Sequence, residues 1–327
     1  MVRLIKQVKH IVITSHQNSD VDAVLSCCIT KKLINSINPH VVVDVIVPRI
    51  NVTAKKVLER LGLSNVIEEG DRFPEYDTCF FIDVNNPSHL GPLQKEVRID
   101  KPVVIIDHHK PSSAIPPNTL ISIIDEQAIA TAEVLCDLMC ELGIKPNKKE
   151  ALCLLIGILY DSRKLSIGGL KTFHKVSFLL SCGASLAEAS SILYMPLSYS
   201  EKIARLKASQ RACLLSIGQW VVALSNVGSY EASAARALID LGADIAAVCN
   251  EFEGGSRMCV RASEEFVRLT GIHLGKELED LGLAMSGSGG GHASAACMST
   301  PRTCNEVLKR FLELLSDRLK LPIKKVD

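Results

Sequence analysis

The chain carries histidine and aspartate residues in four groups, and each group follows an apolar segment of the sequence. Carboxylates and imidazoles gathered in one place suit Mn²⁺ and related divalent cations, whereas thiolates would suit zinc or an iron–sulfur centre. Two such cations held about 3.5–4 Å apart by a shared carboxylate activate water for phosphoryl chemistry. The residues are His16, Asp20 and Asp22 in the first group, Asp83 in the second, Asp107, His108 and His109 in the third, and Asp161 in the fourth.

Each of these residues also has an ordinary structural explanation. An aspartate that follows a strand is more often a helix cap or a turn residue than a ligand, and a carboxylate at a helix start, such as Asp22, is favourable on its own. A single histidine is more often a hydrogen-bonded polar residue than a metal ligand. Joint placement after successive apolar runs favours a metal site, but spacing alone leaves both explanations open.

The first half of the chain alternates strand and helix signals. Because the strand segments are continuously apolar, they predict a parallel sheet that is covered on both faces. The pattern indicates a doubly wound α/β domain, in which ligands bind outside the carboxyl ends of the strands. The strands are expected at 10–14, 41–47, 78–84 and 102–107, and helices at 22–37, 52–62, 130–142 and 148–161.

The second half reads as a smaller α/β domain. A polar stretch with a proline and helical charge spacing, 193–212, is expected to connect the domains, so that residues 1–192 form the first domain and 213–327 the second. A glycine-rich loop, "SGSGGGHASAAC" at 286–297, precedes a final helix. Further strands are expected at 213–217, 220–225, 244–249 and 257–262, and helices at 229–242 and 272–281.

Composition restricts the classes of function. A net charge of +1 and an aromatic content of 4%, with one tryptophan, argue against a long channel for nucleic acid. The twelve cysteines include no C-x-x-C pair, so we expect buried free thiols in a reducing cytoplasm. No leader-like apolar region and no membrane-length apolar run are present in the sequence, so a soluble cytoplasmic protein with no membrane partner is expected.

Five motifs carry a resemblance to a known family. "SHQNSDVDAV", "FFIDVNN", "VVIIDHHKPS" and "GILYDSRKL" resemble, in this order, the four motifs of the DHH phosphoesterases, and "SGSGGGHASAA" resembles the glycine-rich motif of the DHHA1 domain. The match covers nearly the whole chain. It looks most like the two-domain members of the nano-RNase and 3′-phosphoadenosine-5′-phosphate phosphatase type. These have a two-manganese centre in a cleft between the domains.

The resemblance implies a role for each residue of the four groups. One ion would be bound by His16, Asp20 and Asp83, and the second by Asp22, Asp83, His108 and Asp161, with Asp83 bridging. A hydroxide held between the ions would be the nucleophile. His109 would contact the scissile phosphate, and Asp107 would orient a ligating imidazole. Mg²⁺ or Co²⁺ in place of Mn²⁺ is left open.

In the second domain, the resemblance implies that the glycine-rich loop binds the substrate's phosphate. His292 with Gly289, Gly290 and Gly291 would form this phosphate grip, and Arg261 is similar to a substrate-binding arginine of the same domain. The chain departs from the family after Asp161, where Ser162 and Arg163 replace the frequent Thr-Gly. Whether Arg163 contacts substrate or faces solvent is left open.

The expected function is a manganese-dependent phosphoesterase that cuts oligoribonucleotides of a few residues, linear dinucleotides or a nucleoside bisphosphate. A RecJ-like single-strand exonuclease, a pyrophosphatase or polyphosphatase, and a nucleotide-binding module without catalysis are the alternatives. The expected partner is therefore a short RNA or nucleotide rather than long DNA, and a homodimer is left open.

Overall fold

Six strands of the first half form one parallel sheet in the computed structural model, which describes residues 1–326. All five pairings within this sheet are parallel, as predicted for the α/β class. The strand order is β3-β2-β1-β4-β5-β6. The strands are β1 His10–Thr14, β2 Val42–Val47, β3 Glu68–Glu69, β4 Thr78–Ile82, β5 Val103–Asp107 and β6 Thr119–Ile124.

Side chains of alternate strand residues enter two cores, one on each face of the sheet. Ile11 and Ile13 of β1 point into the larger core, whereas Val12 lies in the smaller one, which contains Leu90 and Leu93 of the 3₁₀ segment Pro87–Glu96. The larger core is formed with helices of this first unit. They are α1 Val2–Gln7, α2 Val21–Ile37, α3 Val52–Leu61, α4 Thr131–Glu141, α5 Lys148–Asp161, α6 Leu170–Ser181 and α7 Leu186–Leu193.

The strand order places a topological switch between β1 and β4. From β1 the chain adds β2 and β3 on one side, and it later adds β5 and β6 beyond β4 on the other side. Because all strands are parallel, their carboxyl ends meet at one edge, and the crevice at such a switch is where open α/β sheets bind ligands. The residues that follow β1, β4 and β5 therefore converge there.

The chain divides into two compact units, Met1–Met195 and a second that begins at Pro196. The second unit has a seven-stranded sheet of order β11-β12-β10-β9-β8-β7-β13, in which only β8 and β9 pair in parallel among the described residues. Its strands are β7 Cys213–Ile217, β8 Trp220–Asn226, β9 Ile245–Phe252, β10 Gly255–Ala262, β11 Ser288–His292, β12 Ala295–Thr300 and β13 Ile323–Lys325.

Helices of the second unit complete the described chain. The stretch predicted as a connector contains a twelve-residue helix, Tyr199–Gln210. No single helix within residues 1–326 is long and apolar enough to cross a membrane; α6 and α7 together reach that length, but they are bent by 106°. The helices are α8 Tyr199–Gln210, α9 Glu231–Asp240, α10 Glu264–Thr270, α11 Leu274–Ala284 and α12 Cys304–Leu319.

The glycine-rich segment is not the loop that the sequence suggested. Residues Ser288–His292 form edge strand β11, which pairs antiparallel with β12. The glycines permit close packing: a Cβ on Gly289 would lie 2.1 Å from the Leu278 carbonyl oxygen, and one on Gly291 would lie 2.4 Å from the Ala295 carbonyl oxygen. Composition alone could not separate this tight packing from a phosphate-binding loop.

The expectation of free thiols throughout is wrong for four cysteines. Disulfides join Cys249 to Cys304 and Cys259 to Cys297 in the second unit. Cys259 and Cys297 stand directly opposite each other on β10 and β12, a proximity that only the strand register reveals. Among the described residues, the other eight cysteines are free, and five of these are buried.

Candidate metal centre

Every residue predicted as a metal ligand lies at the carboxyl edge of the parallel sheet. Their side chains form three overlapping groups, and within each group the candidate ligand atoms lie within 4.8 Å of one another. The groups are His16, Asp20 and Asp83; Asp22, His108 and Asp161; and Asp83, His108 and His109. The donors are carboxylate oxygens and imidazole nitrogens, which suit Mn²⁺, Mg²⁺ or Co²⁺.

Asp83 stands at the middle of the centre. It directly follows β4, its backbone has a left-handed φ of 59°, and its amide N–H donates to the Ile106 carbonyl at 2.9 Å. Its Oδ2 lies 3.5 Å from His16 Nε2 and its Oδ1 lies 3.4 Å from His108 Nε2. A strained conformation persists when the surroundings enforce it, and here it turns one carboxylate toward two groups. This geometry suits a bridging ligand.

The two histidines beside Asp83 are oriented by backbone carbonyls. His16 Nδ1 lies 3.1 Å from the Gln17 carbonyl oxygen, and His108 Nδ1 lies 3.3 Å from that of Ala128. A ring that donates from Nδ1 presents the lone pair of Nε2, which is how metal-ligating histidines are commonly held. Both Nε2 atoms face Asp83, so both rings are oriented to bind a cation beside it.

Asp22 is held by the N-terminus of α4. Its carboxylate is fully buried and accepts from the amide N–H of Thr131 at 2.7 Å and of Ala132 at 3.2 Å. The Thr131 hydroxyl also donates to Asp83 Oδ1 at 2.8 Å. Asp22 does not cap α2; that cap is Asp20, which accepts from the amide of Ala23. The start of α4 thus orients two of the predicted ligands.

Gly157 of α5 leaves the space that Asp22 occupies. A Cβ at this position would lie 2.5 Å from Asp22 Oδ1 and 3.0 Å from the Ala132 Cβ. The same helix ends at Asp161, whose Oδ2 lies 3.8 Å from His108 Nε2. Helix α5 therefore contributes one predicted ligand and makes room for another.

Asp107, the last residue of β5, forms a buried polar network behind the predicted ligands. Its Oδ1 accepts from His109 Nδ1 at 2.8 Å, and its Oδ2 accepts from the Asn85 side-chain amide at 2.6 Å. Asn85 Oδ1 in turn accepts from the Ser112 amide at 2.9 Å. This network fixes the ring of His109 and leaves its Nε2 directed away from Asp107.

Three carboxyl groups of the centre lie close together and are largely buried, so their pKa values are raised. Burial, followed by the charges of Asp20 and Asp83, raises the pKa of Asp161 to about 8. Burial and the charge of Asp83 likewise raise the pKa values of Asp20 and Asp22. Carboxylates crowded in this way repel one another when ionised, and bound cations would offset that repulsion. The donor set therefore fits divalent metal.

Neighbouring carboxylates raise the pKa values of two histidines, because they stabilise the protonated imidazole. The hydrogen bond to Asp107 is the main cause that raises the pKa of His109 to about 9. Burial lowers the pKa of His16, but the hydrogen bond and charge of Asp83 outweigh burial, so that it is raised. Burial raises the pKa of Asp107, but hydrogen bonds from His109 outweigh it and lower it. In the metal-free protein, Asp107 therefore favours the protonated form of His109.

The predicted substrate-binding residues lie in the second unit. Gly291 and His292 are exposed at the end of β11, and Gly289 and Gly290 are half-buried. Arg261 is half-buried on β10, and burial together with the nearby Arg236 lowers its pKa. The structure gives the position of these residues, and their roles stay predictions.

Three residues that support the centre, Asn85, Thr131 and Gly157, were not predicted from the sequence. Asn85 lies within the motif "FFIDVNN", and Thr131 lies at the start of the helix predicted over 130–142, so the sequence around each of them is informative. Gly157 sits inside an apolar helix with nothing in its neighbourhood to distinguish it. Their contacts with Asp107, Asp83 and Asp22 depend on the packing of separate segments, which no local pattern encodes.

Comparison with known proteins places the chain in a family. Residues 10–158 match the DHH family, N-terminal domain, and residues 222–321 match the DHHA1 domain. An uncharacterized protein of Methanocaldococcus jannaschii is 30% identical over 323 residues, which cover 95% of this chain and 94% of that protein. The chain belongs to the DHH family. DHH-family members are phosphoesterases that use divalent metals, in agreement with the donor set described above.

One further protein and one solved structure are similar to this DHH protein. The cyclic-di-AMP phosphodiesterase GdpP of Bacillus subtilis is 26% identical over 255 residues, which cover 76% of this chain and 38% of that longer protein. The crystal structure of an exopolyphosphatase-related protein from Bacteroides fragilis matches with a TM-score of 0.64 at 19% identity, covering 97% of this chain and 95% of that one. The latter likeness supports the fold.

Proposed function

We propose that this DHH protein is a manganese-dependent phosphodiesterase that hydrolyses short linear nucleotides. The substrates are dinucleotides, RNAs of a few residues or 3′-phosphoadenosine 5′-phosphate. The observation that carries the proposal is the sharing of Asp83 by two of the three His/Asp groups at the sheet edge. A carboxylate shared in this way suits a pair of cations, which is the arrangement suited to phosphoryl chemistry.

The predicted ligands divide into two sets around Asp83. His16 and Asp20 would hold one ion with it, and Asp22, His108 and Asp161 would hold the other. Divalent ions at such a site lower the pKa of water and offset the negative charge of phosphoryl oxygens. The protein supplies fixed geometry, because Thr131 and the two backbone carbonyls hold the ligating side chains before any cation binds.

His109 supplies a proton donor beside the centre. Its Nδ1 lies 3.6 Å from Asp83 Oδ1 and is hydrogen-bonded to Asp107, so Nε2 is the atom left to face a substrate oxygen. The side chain is 57% exposed, which makes that nitrogen accessible. With a pKa of about 9, the imidazolium can stabilise charge on the phosphate or donate a proton to the leaving oxygen.

The substrate class is proposed from a relative and from sequence. Bacillus subtilis GdpP is a cyclic-di-AMP phosphodiesterase, which supports a dinucleotide-related substrate. The near-neutral charge and few aromatic residues favour short over long nucleic acid. We further propose that His292, Gly289, Gly290, Gly291 and Arg261 bind phosphate of the substrate.

A substrate screen tests the proposal. Purified protein with Mn²⁺, Mg²⁺ or Co²⁺ is incubated with linear di-adenylate, RNAs of two to about twenty residues, 3′-phosphoadenosine 5′-phosphate, cyclic-di-AMP and pyrophosphate. We expect the highest kcat/KM with Mn²⁺ on the short linear nucleotides. Hydrolysis of pyrophosphate alone, or of long single strands in preference to short ones, would show that the proposal is wrong.

A further inference from the structure

A cavity of about 240 Å³ lies in the first unit, apart from the candidate metal centre. None of the predicted metal ligands lines it. Its lining is contributed by α2, by the N-cap and the first two turns of α5, and by residues 63–66, which follow α3. Three segments that are distant in the sequence therefore form this cavity together.

Helix α5 extends from this cavity to the centre. Asn147, which caps the start of the helix, lines the cavity, whereas Asp161 at its end is a predicted ligand. At 1.5 Å per residue, the fourteen residues of α5 span about 20 Å. Helix α2 likewise has Asp22 in its first turn and reaches the cavity only at Cys28 and beyond. A small ligand in the cavity would therefore not touch the centre.

The buried part of the lining is apolar and uncharged. It consists of Cys28, Ile29, Leu63 and Cys153, each at most 9% exposed. Burial raises the pKa of both thiols to about 12, so they stay protonated at neutral pH. A protonated thiol behaves as a small apolar group. This buried part, named here the apolar floor, suits a hydrocarbon chain or ring and not a charged group.

Three lysines line the same cavity. Lys31 and Lys32 belong to α2, and Lys149 lies in the first turn of α5. All three are close enough to the Cys28 thiol for their charges to lower its pKa, against the larger effect of burial. The two lysines that form ion pairs within residues 1–326 are others. The three ammonium groups beside the apolar floor are thus available to an anion.

The start of α5 adds to the positive potential of the cavity. Helix N-termini carry a partial positive charge, because their first N–H groups have no partner within the helix. Glu150, the carboxylate of the lining, already accepts from the Asn147 amide at 3.0 Å as part of the helix cap. Three ammonium groups against one carboxylate leave the lining with a formal charge of +2. An anionic ligand would balance that charge.

We propose that this cavity binds a small organic acid, with its carboxylate beside Lys31, Lys32 and Lys149 and its apolar chain or ring on the apolar floor. A volume of about 240 Å³ is slightly below that of cavities for drug-sized ligands. A carboxylate suits this size, because it adds little volume to an apolar chain. The site is separate from the proposed phosphodiesterase centre and does not depend on its activity.

Three probes test the two halves of the site in calorimetry of the Mn²⁺-loaded protein. Octanoate has both the charge and the chain, octylammonium has the chain with the opposite charge, and acetate has the charge without the chain. We expect octanoate to bind at least tenfold more tightly than either of the others. Added KCl should weaken octanoate binding, because the lysines are at the surface.

Matched variants locate the binding. The double variant Lys31→Gln and Lys149→Gln should weaken octanoate binding about tenfold, whereas Lys148→Gln, at an exposed lysine outside the lining, should leave it unchanged. Cys153→Phe should abolish binding by filling the cavity. Because Cys153 is in the core and this variant could be unstable, the surface lysine variants carry the test on their own.

A methyl NMR spectrum gives an independent readout of position. Saturating octanoate should shift the resonances of Ile29 and Leu63 and leave that of Ile245, in the core of the second unit, unchanged. Equal affinity for octanoate and octylammonium, or an unchanged affinity in the double lysine variant, would overturn the site. Loss of octanoate binding in Asp83→Ala would place the carboxylate at the metal centre and would overturn it as well.

Discussion

In the metal-free protein, the free energy of unfolding should fall as pH rises, because the centre brings together carboxyl groups whose pKa values are raised in the folded state. Asp161 is the clearest case, with a pKa raised from 3.8 to about 8 by burial and by Asp20 and Asp83. In the unfolded chain this carboxyl ionises near its ordinary value. Its contribution to stability is therefore fully present below that value and is lost as pH rises toward 8.

The size of the effect follows from linkage. One pKa unit corresponds to about 1.4 kcal/mol, and between pH 5 and pH 8 the shift of Asp161 costs about 3–4 kcal/mol of the free energy of unfolding. Its side chain is 19% exposed, so solvent screens it little. His109, with its pKa raised to about 9, acts in the same direction, because stability from its ionised form is also lost at high pH.

Urea unfolding of chelator-treated protein at pH 5 and pH 8 measures this difference. Asp161→Asn should flatten the dependence, while Asp71→Asn, at an exposed aspartate, should leave it as in the wild type. Saturating Mn²⁺ should reverse the trend, since the ligands bind metal in their deprotonated form. Equal or greater stability of the metal-free wild type at pH 8 would refute the reasoning.

Three substitutions test the support of the centre. Gly157→Ala would place a Cβ 2.5 Å from Asp22 Oδ1, and we expect calorimetry to show Mn²⁺ binding weakened at least tenfold; Gly169→Ala, which meets open space, is the control. Thr131→Val loses the hydrogen bond to Asp83 and should weaken Mn²⁺ binding about tenfold, whereas Thr131→Ser should retain it. Asp83→Ala should abolish turnover and metal binding with an unchanged circular dichroism spectrum; normal turnover would exclude the bridging assignment.

The sequence was sufficient to predict the strands that carry the centre. The segment "HIVIT" was expected at 10–14 and forms β1 over His10–Thr14, because a buried parallel strand has a continuous apolar signal. The edge strand β6, Thr119–Ile124, was missed, since it follows a stretch rich in proline and serine and is only half-buried. Helix α10 was also missed, because its seven residues are too few to show a helical period.

The candidate ligands could be predicted from the sequence, but the hydrogen bonds and the packing that hold them in place could not. His16 and Asp83 follow strands, so strand order alone brings them to one edge. By contrast, the hydrogen bond from Thr131 to Asp83 and the space at Gly157 depend on how helices pack against each other. Helix packing is set by many weak contacts distributed along the chain, and a local pattern reports only the residues of one segment.

The position of Asp161 at the end of α5 has a kinetic consequence. The candidate ligands begin at His16 and end at Asp161, so the centre does not exist until strands β1, β4 and β5 have paired and α5 has docked. Contacts so distant in the chain form late in folding. Mn²⁺ should therefore slow unfolding far more than it accelerates refolding, and a ribosome-bound chain that ends before Asp161 should not retain the cation with full affinity.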